Sequence, residues 1–423
     1  MSNGKVFSST MKIVCVAAMQ VIGLAAYCQN MNNPYSVYGV GDIDNKVYNR
    51  TSGMAGTGLA LKSSAYLIDN NPAGLSGMTR SFYLAHIAVT GRSSSYSGDP
   101  IDASNSKNKD MWIKRFAFAV KVNKFWSSSI GFGQFSNVNY KFTGTKFIEG
   151  GYSVYQTQLE GEGGLNDYYW TNAISIGKHL SIGIKSSVIA GAINQSEILS
   201  DAVLQSVITT KQQDYIGDLR FQGGMIYETK LSKAWDLSLG ARYAPKTKFT
   251  SQRTLTVTEN STELVEDSYV KSDRFYLPHT IGGGIALKHN NKTTFAADYT
   301  YEDWSSLGVK KRGWQLISSH RASAGVEFAR FKSYQGFQAE HRFFQSGLFF
   351  EHSYLQIRNI PIQQYGLTAG MGGVLGNNLL YSFSLEAGSK GTTKASLIKE
   401  SYVGFTLNLS YRDFLLSKGR KYE

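Results

Sequence analysis

From residue 81 onward, apolar and polar residues alternate one by one almost to the end of the chain. Successive side chains on a strand point to opposite faces, so this period of two writes strands with one apolar and one polar face. Val403, Phe405, Leu407, Leu409 and Tyr411 alternate with Tyr402, Gly404, Thr406, Asn408 and Ser410. Leu379, Tyr381, Phe383, Leu385 and Ala387 do the same against Ser382, Ser384 and Glu386. A soluble sandwich alternates too, with its apolar face inward. Strand length and the spacing between strands separate the two architectures.

The segments are long. About fourteen can be marked, most reaching the roughly 9–11 residues that a tilted membrane-spanning strand needs. Short turns are expected at Asn123-Lys124, Gly177-Lys178, Ser232-Lys233, Asn290-Asn291, Phe331-Lys332 and Gly376-Asn377. They alternate with longer polar loops, near 92–111, 143–164, 195–213, 254–269, 306–313, 346–359 and 390–399. Short turns at one end and long loops at the other are the arrangement of outer-membrane barrels. All six tryptophans lie near expected strand ends, as in two interfacial belts. The sequence therefore predicts an all-β membrane protein, an antiparallel transmembrane barrel of about fourteen strands.

Ahead of the strands lie two further regions. Residues 1–28 read as a signal peptide, with Lys12 as n-region charge and Ile13 to Ala26 as the apolar stretch. Cys28 would also suit a lipoprotein signal, but Tyr27 before it fits poorly. Both cysteines, Cys15 and Cys28, fall in this leader, which leaves no thiol chemistry after cleavage. Residues 29–80 are rich in Gly and small residues and carry the run GMAGTGLALKSSAYLIDNNPAGL at 53–75. Too small to build a core, this region is expected to fold inside the barrel (residues 81–423) as a plug. Asn71, Pro72 and Ala73 would form its tight turn.

Composition fits a barrel: 43 Gly, six Pro, 13% aromatic residues and a mean hydropathy of -0.24. The formal charge of +13 falls to +11 without the leader, because Lys5 and Lys12 are the only charges before Cys28. The surplus suits contact with outer-membrane lipid and lipopolysaccharide phosphates. Lys and Arg are dispersed and form no nucleic-acid signature. The seven histidines have no metal-ligand spacing, and no catalytic or cofactor motif appears, so an enzyme, a metal site and a cofactor are not expected. Asp298, Glu302, Glu340, Arg342 and Glu386 fall on the polar face and are expected to line a hydrated lumen. Residues 195–209 break the alternation: Ile198, Leu199, Ala202, Val203 and Val207 form one stripe at helical spacing. Asn194 with Glu197 resembles a capping box, so a helix is predicted in an outer loop, packed on the barrel mouth or lining an apolar ligand entrance.

The chain resembles the FadL-type family of long-chain fatty-acid transporters. The likeness rests on GMAGTGLAL followed by Asn71-Pro72-Ala73, then Leu277-Pro278 with Gly283, Asp298 and Asp303-Trp304-Ser305, and Arg321 to Glu327 as an Arg-x-x-x-Gly-x-Glu strand. It implies a fourteen-stranded monomeric barrel, an N-terminal hatch and passive uptake of hydrophobic molecules such as fatty acids or aromatics. Barrels of this kind also act as surface carriers or scaffolds for secreted proteins, without solute flux. The terminal Gly419-Arg420-Lys421-Tyr422-Glu423 lacks the closing aromatic common in outer-membrane barrels.

Overall fold

A computed structural model describes residues 33–78, 82–99, 101, 106–147, 154–201, 206–271, 275–334, 337–376 and 378–414. Fourteen long strands close into one antiparallel ring: β1 Phe82–Ser97, β2 Lys107–Lys121, β3 Trp126–Phe147, β4 Val154–Ile176, β5 Leu180–Asp201, β6 Ser206–Lys230, β7 Trp235–Ala244, β8 Thr280–His289, β9 Thr293–Glu302, β10 Ser319–Tyr334, β11 Phe337–Ile357, β12 Ile360–Leu375, β13 Leu379–Gly391 and β14 Lys399–Phe414. Neighbours in sequence pair, and β1 pairs with β14 from Phe82↔Phe414 to Ser97↔Lys399, which closes the cylinder. Closure removes most of the free edges that an open sheet would expose.

The alternation sorts side chains as the sequence implies. Outward residues are large, apolar and open: Ile130 is 58% exposed, Leu367 65% and Val403 57%. Ser127, Ser129, Thr171, Ser181 and Asn408 point inward and are buried. In aqueous solution such an outer surface would be unstable; against lipid it is the expected one. Phe405 stacks on Phe383 and shares the strand face of exposed Val403, while Thr406 shares the opposite face with buried Tyr402 and Asn408. Phe405→Arg is therefore expected to cost about 2–4 kcal/mol if near the midplane, and Thr406→Arg much less. The temperature at which the folded gel band disappears checks this, and equal losses would refute the facing.

Short turns join strands at one end. Asn290 and Asn291 both adopt positive φ (49° and 58°), as a two-residue type I′ hairpin requires. Of the expected turns, Phe331-Lys332 is instead inside β10. The other end departs more. The stretches expected as loops at 143–164 and 195–213 largely continue as strands, because β3 to β6 extend well beyond membrane height. The predicted helix is absent: 195–201 belong to β5 and 206–209 to β6, paired Leu199↔Ile208 and Ser200↔Val207. Ladder pairing to both neighbours overrides a local apolar stripe, and Asn194 and Glu197 are strand residues, not a cap. The strand hairpin Thr247–Glu259 and Thr262–Lys271 widens this outer sheet by pairing with β6.

Two prolines break one seam together. Ala244 pairs with Thr280 and Thr247 with Leu277, so Pro245-Lys246 and Pro278-His279 face each other as a shared interruption. Pro278 thus follows a strand end, and its missing donor breaks no ladder bond. The tryptophans also divide. Trp126 and Trp170 are exposed on the outer wall, but Trp304 is buried and Trp314 packs on the luminal core, so the belt holds only in part.

Candidate functional site in the barrel lumen

Residues 33–78 pack against inward-facing residues of strands around the ring. Three short 3₁₀ turns organise them: Pro34–Val37, Arg50–Met54 and Pro72–Gly77. Each is capped by an asparagine, Asn33, Asn49 and Asn71, whose side-chain oxygen accepts the amide two residues on. Asn71 is fully buried and saturated. Its Oδ1 accepts from Ala73 N at 3.0 Å, and its Nδ2 donates to Leu59 O, Met225 O and Ala241 O at 2.9, 3.0 and 3.0 Å. The Asn71-Pro72-Ala73 turn is thus tied to strands β6 and β7.

Glycines let the segment approach. A Cβ on Gly347 would lie 2.5 Å from Met54 C, and one on Gly325 2.6 Å from Met54 Cβ. Inward-facing Gly183, Gly224, Gly240 and Gly284 likewise abut Pro72, Asn71 and Leu59. Wall and plug backbones touch with no side-chain layer between them, the close approach that only glycine permits.

Charge fixes the segment as well. Arg50 forks onto two strands, with Nη1 2.6 Å from Glu340 Oε1 and Nη2 2.7 Å from Glu327 Oε1. Its guanidinium lies 4.0 Å from the Phe343 ring centre and 4.5 Å from that of Tyr66. Asp42 meets Lys390 at 2.5 Å, Asp44 meets Lys114 at 2.7 Å, and Lys62 meets Glu228 at 2.7 Å. Asp69 pairs with Arg115 and Lys46 with Glu386. Burial alone would raise the Asp44 and Asp69 carboxyls; the facing Lys114 and Arg115 outweigh it and hold both below the usual aspartate value. Apolar layers flank this charged middle. Tyr35 and Val40 pack with Val138, Tyr354 and Ile362, and Tyr66, Leu67 and Leu75 pack with Phe343 and Leu380.

The wall parts between β2 and β3. β2 and β3 pair only from Lys121↔Ser127 to Arg115↔Gly133, and beyond Gly133 the two ladders part. The plug takes over the edge of β3 there. Asp42 and Ile43 pair with Asn137 and Ser136, Asp44 N donates to Phe135 O at 2.9 Å, and Asn33 N donates to Asn139 O at 2.8 Å. Lys114 reaches across, with Nζ 2.7 Å from both Asp44 Oδ2 and Gln134 Oε1. The cavity behind the seam has a volume of about 140 Å³ and is lined by Arg92, Asp110, Lys114, Glu386, Lys390 and Glu400, among others. A second, about 160 Å³, holds Arg220, Arg242 and Glu302. Both combine charged side chains with aromatic rings such as Trp112 in the first and Trp304 in the second.

Of the residues expected in the lumen, Asp298 accepts the amides of Gly58 and Leu59 at 2.6 and 2.9 Å, and Glu302 accepts Trp304 Nε1 at 2.8 Å. Glu340 and Glu386 pair with the plug as described. Arg342 is a correction: it is exposed on the outer face. A bulge at His341, where Arg330↔Arg342 is followed by Phe331↔Glu340, shifts the alternation by one and turns Arg342 away from Glu340. Ile198 and Leu199 stand in β5 and Val207 in β6, whereas Ala202 and Val203 lie outside the described residues. The cavities above are lined by other residues. Sequence reasoning missed Arg50, Asp44, Asp69, Lys114 and Arg115. A signal existed in the charges scattered through an otherwise small-residue segment.

No curated protein matches the chain. Among solved structures, the CymD monoaromatic hydrocarbon channel aligns at 14% identity over 87% of this chain and 98% of its own, with a TM-score of 0.57. A FadL homologue of Pseudomonas aeruginosa aligns at 13% over 89% and 100%, with a TM-score of 0.58. The toluene transporter TodX of Pseudomonas putida aligns at 14% over 88% and 99%, with a TM-score of 0.56. At these identities the likeness shows a shared barrel fold. Within that fold the sequence itself is specific: the BamG family model matches residues 10–423, nearly the whole length, and the chain belongs to the BamG family.

Proposed function

We propose that this barrel is a closed outer-membrane scaffold or carrier that holds a protein partner and does not conduct solutes at rest. The observation that supports this most is the lumen. Plug backbone lies directly on wall glycines, ion pairs tie it to β2, β6, β10, β11 and β13, and the apolar outer layer is filled by Tyr35 and Val40. Opening such a lumen means separating buried charges, which leaves each without its partner. The extended outer sheet of β3 to β6 offers area beyond the membrane for contact with a protein.

A second reading is passive uptake of hydrophobic molecules, long-chain fatty acids or aromatics, by a monomer. It is favoured by the seam between β2 and β3 above Gly133 and by the fold shared with the hydrocarbon channels. Here residues 33–44 would leave the β3 edge to admit a solute from the outer leaflet, and Ile198, Leu199, Ala202, Val203 and Val207 would guide it. Native mass spectrometry of the detergent-extracted protein separates the two. The scaffold reading expects a stoichiometric protein partner and no small apolar ligand. A copurified fatty acid or aromatic, with uptake of a hydrophobic probe by proteoliposomes, would overturn it in favour of the channel.

A further inference from the structure

We propose that the outward face of the wall formed by β3 to β6 and Thr247–Glu259, just beyond the lipid belt, is a binding site for the sugar hydroxyls of a glycan. At membrane height this face is apolar, with Ile130, Tyr168, Trp170, Val188 and Leu219 all exposed. It changes character abruptly. On β6 the two outward positions above Tyr215 are the polar Gln213 and Lys211.

Two rows carry the site. Asn139, Glu162, Asn194, Gln213 and Thr254 stand side by side across five strands in one register. The next row is Lys141, Glu160, Ser196, Lys211 and Thr256. Five adjacent strands span roughly 19 Å, the length of a short oligosaccharide. The sheet is hollowed here into a groove of about 560 Å³ lined by both rows.

The chemistry selects the ligand class. Amides both donate and accept, carboxylates accept, and hydroxyls do both, which matches neighbouring hydroxyls on a sugar ring. Among the described residues, the side chains of Asn139, Glu162, Asn194 and Gln213 make no hydrogen bond to one another or to other groups, although they are cross-strand neighbours. Asn194 Oδ1 is moreover buried without a partner. A buried acceptor left unmatched is costly, so a donor from a ligand would be favoured there. The two rows set Lys141 and Lys211 against Glu160 and Glu162, so the groove carries no net charge and Lys141 is engaged with Glu160, which disfavours a phosphate. Tyr215, half-exposed one row below, presents an aromatic face to a sugar lying in the groove. Its height, directly above the apolar belt, points to the saccharide headgroup of an outer-leaflet glycolipid as the source.

The test titrates the full chain in detergent with three probes: a lipopolysaccharide bearing its core sugars, the same lipid stripped of sugars, and the released core oligosaccharide. Glu162→Ala with Asn194→Ala should weaken binding of the sugar-bearing lipid about tenfold, as expected for two or more lost hydrogen bonds, and leave the stripped lipid unaffected. Gln213→Ala, a milder change, should give a smaller loss in the same direction. Binding of the free oligosaccharide as strong as that of the whole lipid would assign a soluble glycan; much weaker binding would assign the membrane headgroup. Parent-like binding in folded variants, or equal binding of the stripped lipid, would overturn the site.

Discussion

Replacing Arg50 by Met is expected to undock the plug while the barrel remains folded, at a cost of about 3–5 kcal/mol to plug seating. Arg50 sits in the middle of the charged layer with its side chain 6% exposed, and its two partners belong to neighbouring strands. Removing it leaves Glu327 and Glu340 facing each other without a cation. Gln345 Nε2 donates to Glu327 Oε2 at 2.6 Å and satisfies only one oxygen of the pair. The guanidinium also fills the space between Phe343 and Tyr66, which Met can occupy in part. Limited proteolysis in detergent reads the result: Arg50→Met should expose the segment around residues 33–78 to cleavage, with the heat-resistant barrel band unchanged. Adding Glu327→Gln and Glu340→Gln should restore much of the protection, because the uncompensated charges are then gone. Protection equal to the parent in the single variant would mean that the ion pairs contribute little and that packing alone seats the plug.

The barrel was legible because its physics is repetitive. Every spanning strand must show lipid one face and the lumen the other, so the pattern in Leu379 to Ala387 or Val403 to Tyr411 recurs around the ring. Asn290-Asn291 was legible for a related reason, since a two-residue hairpin demands positive φ. The failures lie where one residue shifts the register or where tertiary pairing overrules a local pattern. His341 bulges and turns Arg342 outward, and nothing in Ala339 to Arg342 announces an extra residue. The stripe at Ile198, Leu199 and Val207 has helical spacing, yet β4 and β6 offer β5 a complete ladder on both sides. The luminal ion pairs were hidden for a third reason. Arg50 and Glu340 are 290 residues apart, and their meeting depends on how the plug is threaded.

Gly347→Leu is expected to open the lumen without harming the wall. Gly347 faces inward on β11, paired to Gly325 on β10 and Thr368 on β12, all at plug height. Leucine suits the strand itself, and its ladder bonds are unaffected. Its Cβ, however, would fall 2.5 Å from Met54 C and 2.8 Å from Ala55 N. These are backbone atoms of a tight turn, capped by Asn49 and held through Ala55 N to Thr368 Oγ1 at 2.9 Å, so no flexible side chain can yield. Overpacking costs typically about 1–3 kcal/mol where neighbours can shift, and here the shift must be made by the whole Arg50–Met54 turn. The turn would move off the wall, drawing Arg50 from Glu327 and Glu340. Planar-bilayer recordings should then show a stable conductance that the parent lacks, and removal of residues 31–78 should give a larger one. A folded Gly347→Leu barrel as silent as the parent would show that the wall yields instead of the plug. A protein partner that still binds the opened variant would place its contact on the outer sheet and not on the plug, separating the scaffold role from the state of the lumen.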